Sequence, residues 1–515
     1  LSKAFVDFST SGLENPLSHL LLLLTVLSAS AYQHKHQEEP RNSLTVYFLV
    51  CSGSYLTRPD LLVLVLPLSM YLAFSEIHQP RQLASSLVLA ATPVIVWTAF
   101  SLFYYGFPLP NTAYAKLGTG IPVDERVIQG FRYLFHSANN DPVTLFVIVV
   151  GSIYGFIGSR ISQSLSIGII FYLVYALYIG GDFMEGRFLT APFFVALIIF
   201  ARELSNTKLA YILIALVLIL GSASVHPNLI AGSTYSNTQI SEFGIADERG
   251  YYFQRYGLLT AEQDTFAAPD WNLSAPRVAV LCGGLGFNSI KQGPSMHYVD
   301  TCALADPLLA RLPAKEDPNW RVGHFIRQIP TNYEASLRLD KNMLDDQKTA
   351  QYWDSIRKVT RDPLFQQDRL AEIARINFGM IEKPDFDMYR KSTVARATFI
   401  PSVNAEDVKT IAAEGTPWDA PGNIVFYTAL DIIFKETTDL KSIDLSLDHN
   451  DTYEISVIRD NESVLVATIK PRDVGGLAHH KIELRTAEPN VKAIRIKAQS
   501  GDDMYSLGHL RVNNE

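Results

Sequence analysis

Gly180-Gly181-Asp182-Phe183-Met184-Glu185-Gly186-Arg187 sets three charged residues and three glycines between two apolar runs, 165–180 and 188–200. Charge at a membrane boundary is costly and usually marks a site. Two more polar knots interrupt the same half of the chain: Arg58-Pro59-Asp60, and Pro108-Leu109-Pro110-Asn111-Thr112-Ala113-Tyr114-Ala115-Lys116. The remaining apolar runs lie at 17–32, 44–57, 61–74, 83–106, 143–158 and 208–223. Several are shorter than the ~20 residues a perpendicular helix needs, which a bundle with internal cavities tolerates. Eight spans put residues 1–16, 58–60, 107–142, 181–187 and everything past 223 on one face, so the three knots share a side.

Orientation is less sharply written. Lys and Arg are about evenly split between the two faces, and only their density in the brief loops 33–43, 75–82, 159–164 and 201–207 favours those as cytoplasmic.

Hydrophobic residues make up 48% of the chain, but they are segregated. Residues 1–223 carry 12 Lys/Arg and 12 Asp/Glu, so the whole net charge of −8 lies beyond them. The expected organisation is a transmembrane domain 1–223, a mixed α/β domain 224–400 and a β-sandwich 401–515. No basic patch interleaved with aromatics recommends a nucleic acid partner. The start at Leu1, without methionine and close before an apolar span, reads as a chain whose upstream residues are missing.

Between the fourth and fifth spans, Val123, Val127, Ile128, Phe131, Leu134 and Phe135 recur at helical spacing among Asp124, Glu125, Arg126, Gln129 and Arg132. This is an amphipathic helix fit to lie in a membrane interface, or to pack on the soluble half. From 424 onward the period becomes two: 424–434, 442–447, 453–459, 463–469, 481–485, 491–497 and 505–512, separated by Asn-Asp, Asp-Asn, Gly-Gly and Gly-Asp-Asp turns. Such strands predict a β-sandwich. The ending Ala493-Ile494-Arg495-Ile496 with Gly501 to Gly508 resembles the last strands of galactose-binding, discoidin-like jelly rolls, which implies a carbohydrate-binding module or a structural brace.

In 224–400 a strand at 278–281 precedes Gly283-Gly284-Leu285-Gly286, and helical runs follow at 345–359 and 369–378. The third glycine of a dinucleotide fingerprint is missing and no acidic residue closes an evident βαβ unit, so a tight turn explains the glycines better. Cys282 and Cys302, the only thiols of the soluble half, suit a disulfide in an oxidising compartment or stand as two separate buried thiols. Asn-X-Ser/Thr triplets at Asn272, Asn450 and Asn461 carry meaning only in a eukaryotic cell.

The knots suit group transfer from a lipid phosphate. Arg58, Lys116 and Arg187 can hold a phosphate leaving group by charge-assisted hydrogen bonds, and Asp60, Asp182 or Glu185 can take a proton from an attacking hydroxyl. The plainer reading of Arg58-Pro59-Asp60 is a capped turn.

Gly181-Asp182-Phe183-Met184 with Gly186-Arg187, Pro110 to Ala113 ending in Lys116, Gly12-Leu13-Glu14-Asn15-Pro16-Leu17, Asp306 to Pro313, Gly323-His324 to Arg327, and Ile329-Pro330 together resemble the actinobacterial cell-wall arabinofuranosyltransferase B family. These are polytopic GT-C glycosyltransferases. The resemblance implies a GT-C-like α-helical membrane bundle and a polyprenyl-phosphate-linked arabinose donor with no nucleotide sugar. It also implies inversion at the sugar carbon, an envelope glycan acceptor, and extracytoplasmic C-terminal domains in a bacterial plasma membrane. Arg58, Asp60, Asn111, Lys116, Asp182, Glu185 and Arg187 are the expected donor or acceptor contacts, with no cofactor and no metal. The family's catalytic aspartates lie in a first external loop that nothing here matches, so the base is expected upstream of Leu1, with Asp182 the candidate within the chain, and the chain by itself is expected to be inactive. The competing functions are a flippase for a lipid-linked saccharide, which should show internal repeats of its spans, and a membrane-anchored glycan-binding scaffold.

Overall fold

The computed structural model describes residues 1–35, 40–225, 227, 240–256, 277–317, 320–390, 402–417, 420, 422–426, 429–459, 462–472, 474, 476–500 and 505–513. The triplets at Asn272 and Asn461 and the turn 501–504 lie outside these residues. The chain forms two compact units that do not follow chain order. The first is Leu1–Pro108, Ile121–Thr265 and Asn319–Gly323; the second is Leu109–Gly120, Phe266–Pro318 and His324–Glu515.

In the first unit each apolar run is a helix: Asn15–Lys35, Pro40–Thr57, Leu61–Ser75, Pro80–Tyr105, Pro142–Phe156, Arg160–Ile179, Thr190–Glu203 and Thr207–Ser222. Their starts follow local chemistry. Proline opens the 80–105 and 142–156 helices, where a missing N–H costs nothing, and the side chains of Asp141, Ser159 and Asn206 accept otherwise unpaired first-turn N–H groups. Asn15–Gln33, Pro80–Tyr105 and Arg160–Ile179 are long and apolar enough to cross a membrane. Leu22, Leu44, Leu64, Leu68, Ile148, Leu165, Ile169 and Ile199 belong to one buried cluster. Hydroxyl contacts join the helices, as between Tyr47 and Ser69 and between Thr45 and Ser86, each 2.8 Å. Outward, Val88, Ile95, Val96 and Trp97 on one helix and Tyr211, Ile212 and Ile219 on another are at least half exposed, a surface suited to lipid.

The amphipathic segment is the helix Val123–Asn140. It turns Gln129, Gly130, Tyr133 and Ser137 inward, while Val123, Ile128, Phe131 and Phe135 stay exposed. The guanidinium of Arg126 lies over the Tyr178 ring and that of Arg132 over Phe243, at 4.9 Å each, so both polar flanks are tied down within the unit.

Among the described residues the second unit holds two sheets. β1 (Arg277–Leu281) and β2 (Met296–Asp300) pair in parallel through the helix Leu285–Gln292, a βαβ unit that the sequence reading did not find. It is closed by Asp300, as a dinucleotide unit would be, but both Asp300 carboxylate oxygens are occupied, accepting from the N–H groups of Cys302 and Ala305 at 3.0 and 2.9 Å. Cys282 and Cys302, each just past one of these strands, are joined in a disulfide with Cα atoms 5.2 Å apart. Helices Gln347–Arg361 and Gln367–Asn377 follow, within two residues of the expected runs.

The C-terminal sheet is mostly antiparallel, in the order β4 (Ile424–Phe426), β9 (Tyr505–Val512), β5 (Ala429–Asp448), β8 (Leu477–Ser500), β6 (Thr452–Arg459), β7 (Glu462–Ile469), with β3 (Ser402–Asn404) parallel to β5. β5 and β8 each merge two expected strands. Between Ile433 and Ser442 their pairing shifts register instead of breaking, and such bulges bend a strand without ending it. Residues 429–433 thus pair with 493–497, and 442–448 with 477–483. Leu430, Ile432, Leu445, Leu447, Ile455, Ile494 and Leu507, drawn from both stretches, share one core. Asn450 lies in the turn from β5 to β6.

Candidate functional site

The run 180–187 is shaped by its glycines. Gly181 and Gly186 both have left-handed φ, +74° and +72°; a Cβ on Gly181 would lie 2.5 Å from the Tyr133 ring, and one on Gly186 would lie 2.6 Å from Ala4 Cβ. The backbone is pinned at Met184, which accepts from Tyr133 Oη at 3.1 Å, and by reciprocal bonds to Ala246: Glu185 N to Ala246 O at 2.9 Å and Ala246 N to Phe183 O at 2.7 Å. This course divides the charges. Glu185 faces one cluster, and Asp182 and Arg187 face another.

In the first cluster Lys3 lies 2.5 Å from Asp7, 3.0 Å from Asp247 and 3.9 Å from Glu185, and Arg249 reaches Asp7 at 3.1 Å. His136 Nε2 meets the other oxygen of Glu185 at 3.1 Å. Burial works against the Lys3 ammonium, but the three carboxylates outweigh it and hold its pKa above the ordinary value. Lys3, Asp7, Glu185 and Asp247 are all buried.

The second cluster joins two of the three knots. Arg58 grips Asp60 with two nitrogens, Nε to Oδ1 at 3.2 Å and Nη2 to Oδ2 at 2.6 Å, and Tyr172 Oη donates to Asp60 Oδ2 at 2.6 Å while accepting from Arg58 Nη2 at 3.0 Å. Arg58 also lies over the Phe188 ring at 5.1 Å. Arg187 donates Nη1 to Asp182 Oδ2 at 3.4 Å and Nη2 to Glu14 Oε1 at 3.0 Å, and the same Glu14 oxygen is 3.7 Å from Arg58 Nε. Burial is the largest single influence and raises the Glu14 carboxyl, but Arg187, a hydrogen bond from its own backbone N–H and Arg58 together outweigh it and hold its pKa below the usual range. Two donors remain idle: Arg58 Nη1 and Arg187 Nε are buried with no hydrogen-bond partner among the described residues.

Asn111 and Lys116 belong to the second unit, on the helix Asn111–Leu117. Asn111 donates to Ala305 O at 3.2 Å and accepts from Arg311 at 3.1 Å, and Arg311 lies over the Tyr114 ring at 4.2 Å. Asn111 is therefore engaged in holding its helix, whereas Lys116 is exposed in the last turn. The nearby motif residues are likewise architectural. Asp306 accepts from the N–H groups of Leu308 and Leu309, both at 2.9 Å, and from Tyr333 Oη, and burial pushes its pKa up to about 7. Arg327 donates to the carbonyls of Leu312, Phe325 and Ala115.

Sequence reasoning missed Glu14 as a partner of both arginines, and it missed Tyr172 and the Lys3 cluster. A carboxylate directly before an apolar span was the available signal for Glu14. Tyr172, inside a span, carried none. Among the described residues no group of three or more His, Cys, Asp or Glu could hold a metal ion.

No known family profile matches the chain. It is 28% identical to the terminal beta-(1->2)-arabinofuranosyltransferase of Mycobacterium tuberculosis (strain ATCC 25618 / H37Rv), over 57% of this chain and 52% of that protein. The chain thus spans about half the length of the curated relative it matches. Among solved structures, a family 29 carbohydrate binding module and a point mutant of such a module align with 17% of this chain and 66–68% of theirs at 16–17% identity. At a TM-score of 0.16 that likeness has no bearing on fold or function.

Proposed function

We propose that this chain is the donor-phosphate-binding part of a polytopic membrane glycosyltransferase. That enzyme moves a sugar, arabinofuranose in the favoured reading, from a polyprenyl phosphate to an extracytoplasmic envelope glycan. The observation that carries the reading is the Arg58–Arg187 pair with its two idle buried donors. A buried guanidinium nitrogen without an acceptor costs about 1–3 kcal/mol or more, and a phosphate oxygen is the acceptor that planar guanidinium groups suit best. The distant likeness to an arabinofuranosyltransferase and the three apolar helices point the same way.

In this chemistry an acceptor hydroxyl attacks the anomeric carbon and passes its proton to a carboxylate base, the carbon–oxygen bond to phosphate breaks, and the phosphate leaves carrying increased negative charge. Arg58 and Arg187 stabilise that charge where it develops. Asp182, which holds Arg187 and caps its own loop, positions the cation, and Glu185, committed to the Lys3 cluster, braces the loop. The eight helices act as spans, with the 123–140 helix lying in the interface through Ile128, Phe131 and Phe135.

The test is transfer by a protein carrying this chain, given polyprenyl-phosphoarabinose and a short arabinan acceptor. The reading predicts pentofuranose transfer that Arg187→Gln lowers. Turnover from a nucleotide sugar instead would overturn it.

A further inference from the structure

We infer that Glu14 is a displaceable counter-ion that occupies the anion position of the Arg58–Arg187 pair and must swing out before a lipid phosphate can occupy it. The inference rests on the phosphate-binding reading of this pair and adds a gate to it.

A single oxygen, Glu14 Oε1, is shared by the two guanidinium groups at 3.0 and 3.7 Å, the position a phosphate oxygen between them would take. With Asp60, Asp182 and Glu14 present, two cations already face three carboxylates, so an added phosphate anion, diester or monoester, is repelled unless one of the carboxylates leaves. Two of them cannot. Asp60 is held by Arg58 twice and by Tyr172, and Asp182 is 2% exposed and accepts from the N–H of Phe183 at 2.9 Å. Glu14 is different. Its side chain is 26% exposed, and among the described residues Arg187 is the one side chain that hydrogen-bonds it. The stretch before it, Ser9 to Gly12, is exposed, and nothing lies within 4 Å of where a Gly12 Cβ would be.

Its backbone is fixed, because its carbonyl accepts from Ser18 N at 2.9 Å and the next residue, Asn15, is fully buried and donates to Thr190 at 2.9 Å. Release therefore needs only new rotamers of one glutamate. The idle atoms Arg58 Nη1 and Arg187 Nε are closed off from solvent, so they become available to a ligand only when a neighbouring side chain moves. Glu14 is the neighbour free to do so.

The experiment titrates the chain, reconstituted in lipid nanodiscs, with geranylgeranyl monophosphate. Removing the competing carboxylate in Glu14→Gln is expected to tighten binding roughly tenfold, the gain when a closed state populated about nine-tenths of the time is lost. Glu14→Asp should bind like the wild type, and Arg187→Gln should weaken binding in either background. In the wild type, carbodiimide labelling of the Glu14 carboxylate, read by mass spectrometry, should rise when the lipid phosphate is added; this arm needs no variant to fold. Unchanged or weaker binding by folded Glu14→Gln, or labelling that stays flat or falls on saturation, overturns the gate. If Arg187→Gln still weakens binding in that case, the phosphate-binding reading survives. If Arg187→Gln has no effect either, both fall together.

Discussion

Two charged clusters lie on either side of Gly186, and they differ in which hydrogen-bonding capacity they leave unspent. Around Lys3 the ammonium is surrounded by Asp7, Asp247 and Glu185, every one of these groups is buried, and the assembly ties the N-terminal helix Lys3–Ser9 to the 180–187 loop and to the segment after Ala246. Around Arg58 and Arg187 two guanidinium groups share one half-buried glutamate and keep donors in reserve. Charge density alone, which is all a sequence displays, does not separate a brace from a binding site. What separates them is the kind of capacity left over: a buried acceptor, Glu185 Oε1, beside Lys3, and buried donors, Arg58 Nη1 and Arg187 Nε, that an anion would satisfy.

The sharpest way to break this comparison is Lys3→Met. It takes the ammonium away from buried Asp247 and Glu185 and leaves Asp7 with Arg249 alone, and removing one partner of a buried ion pair typically costs about 3–5 kcal/mol. Thermal unfolding in detergent should show a large loss for Lys3→Met, and a stability equal to wild type would mean that the cluster is no brace. Arg187→Gln takes the cation from Asp182 and from half-buried Glu14, so it should destabilise less than Lys3→Met, while lowering prenyl-phosphate affinity by roughly ten- to a hundredfold, the worth of hydrogen bonds to a charged group. A binding curve superimposable on wild type would remove Arg187 from the site.

A third prediction sharpens the contrast from the second unit, where Asp306 is a buried carboxyl used for architecture. Its folded pKa, about 7, lies above the ordinary carboxyl value, so its contribution to stability is fully present below about pH 4 and is lost as the pH rises towards 7. The stability advantage of wild type over Asp306→Asn should therefore shrink steadily from pH 4 to pH 7, by an amount on the order of a few kcal/mol. Unfolding curves at several pH values would expose a constant difference, which would show that Asp306 does not titrate in that window.

The helical half was legible because its signal is local. Long apolar runs, capping Asp, Ser and Asn, and opening prolines each act within a few residues, and every run became a helix. The sheet was legible strand by strand but not in its continuity. Polar residues around 435–441 read as a gap between two strands, and only pairing with residues far along the chain shows that β5 and β8 run through with bulges. The βαβ unit escaped notice for the same reason, since its second strand is defined by its partner. At the candidate site the knots were visible as charge, and Arg58, Asp60, Asp182 and Arg187 do come together around Glu14. Glu185 was grouped with them by sequence proximity, yet a left-handed Gly186 sends it to a different cluster, a distinction fixed by contacts with Ala4 and Ala246 far away in the chain.

The most direct test of the central claim compares geranylgeranyl monophosphate with geranylgeraniol, which shares the isoprenoid tail and lacks the phosphate, on the wild-type chain and on Arg187→Gln in the same nanodiscs. If the Arg58–Arg187 pair is a phosphate grip, the wild type prefers the phosphate ester by about tenfold or more, in the range expected for charge-assisted contacts, and Arg187→Gln loses most of that preference while its affinity for the alcohol stays the same. Equal binding of the two lipids by the wild type, or a preference that survives in Arg187→Gln, would contradict it.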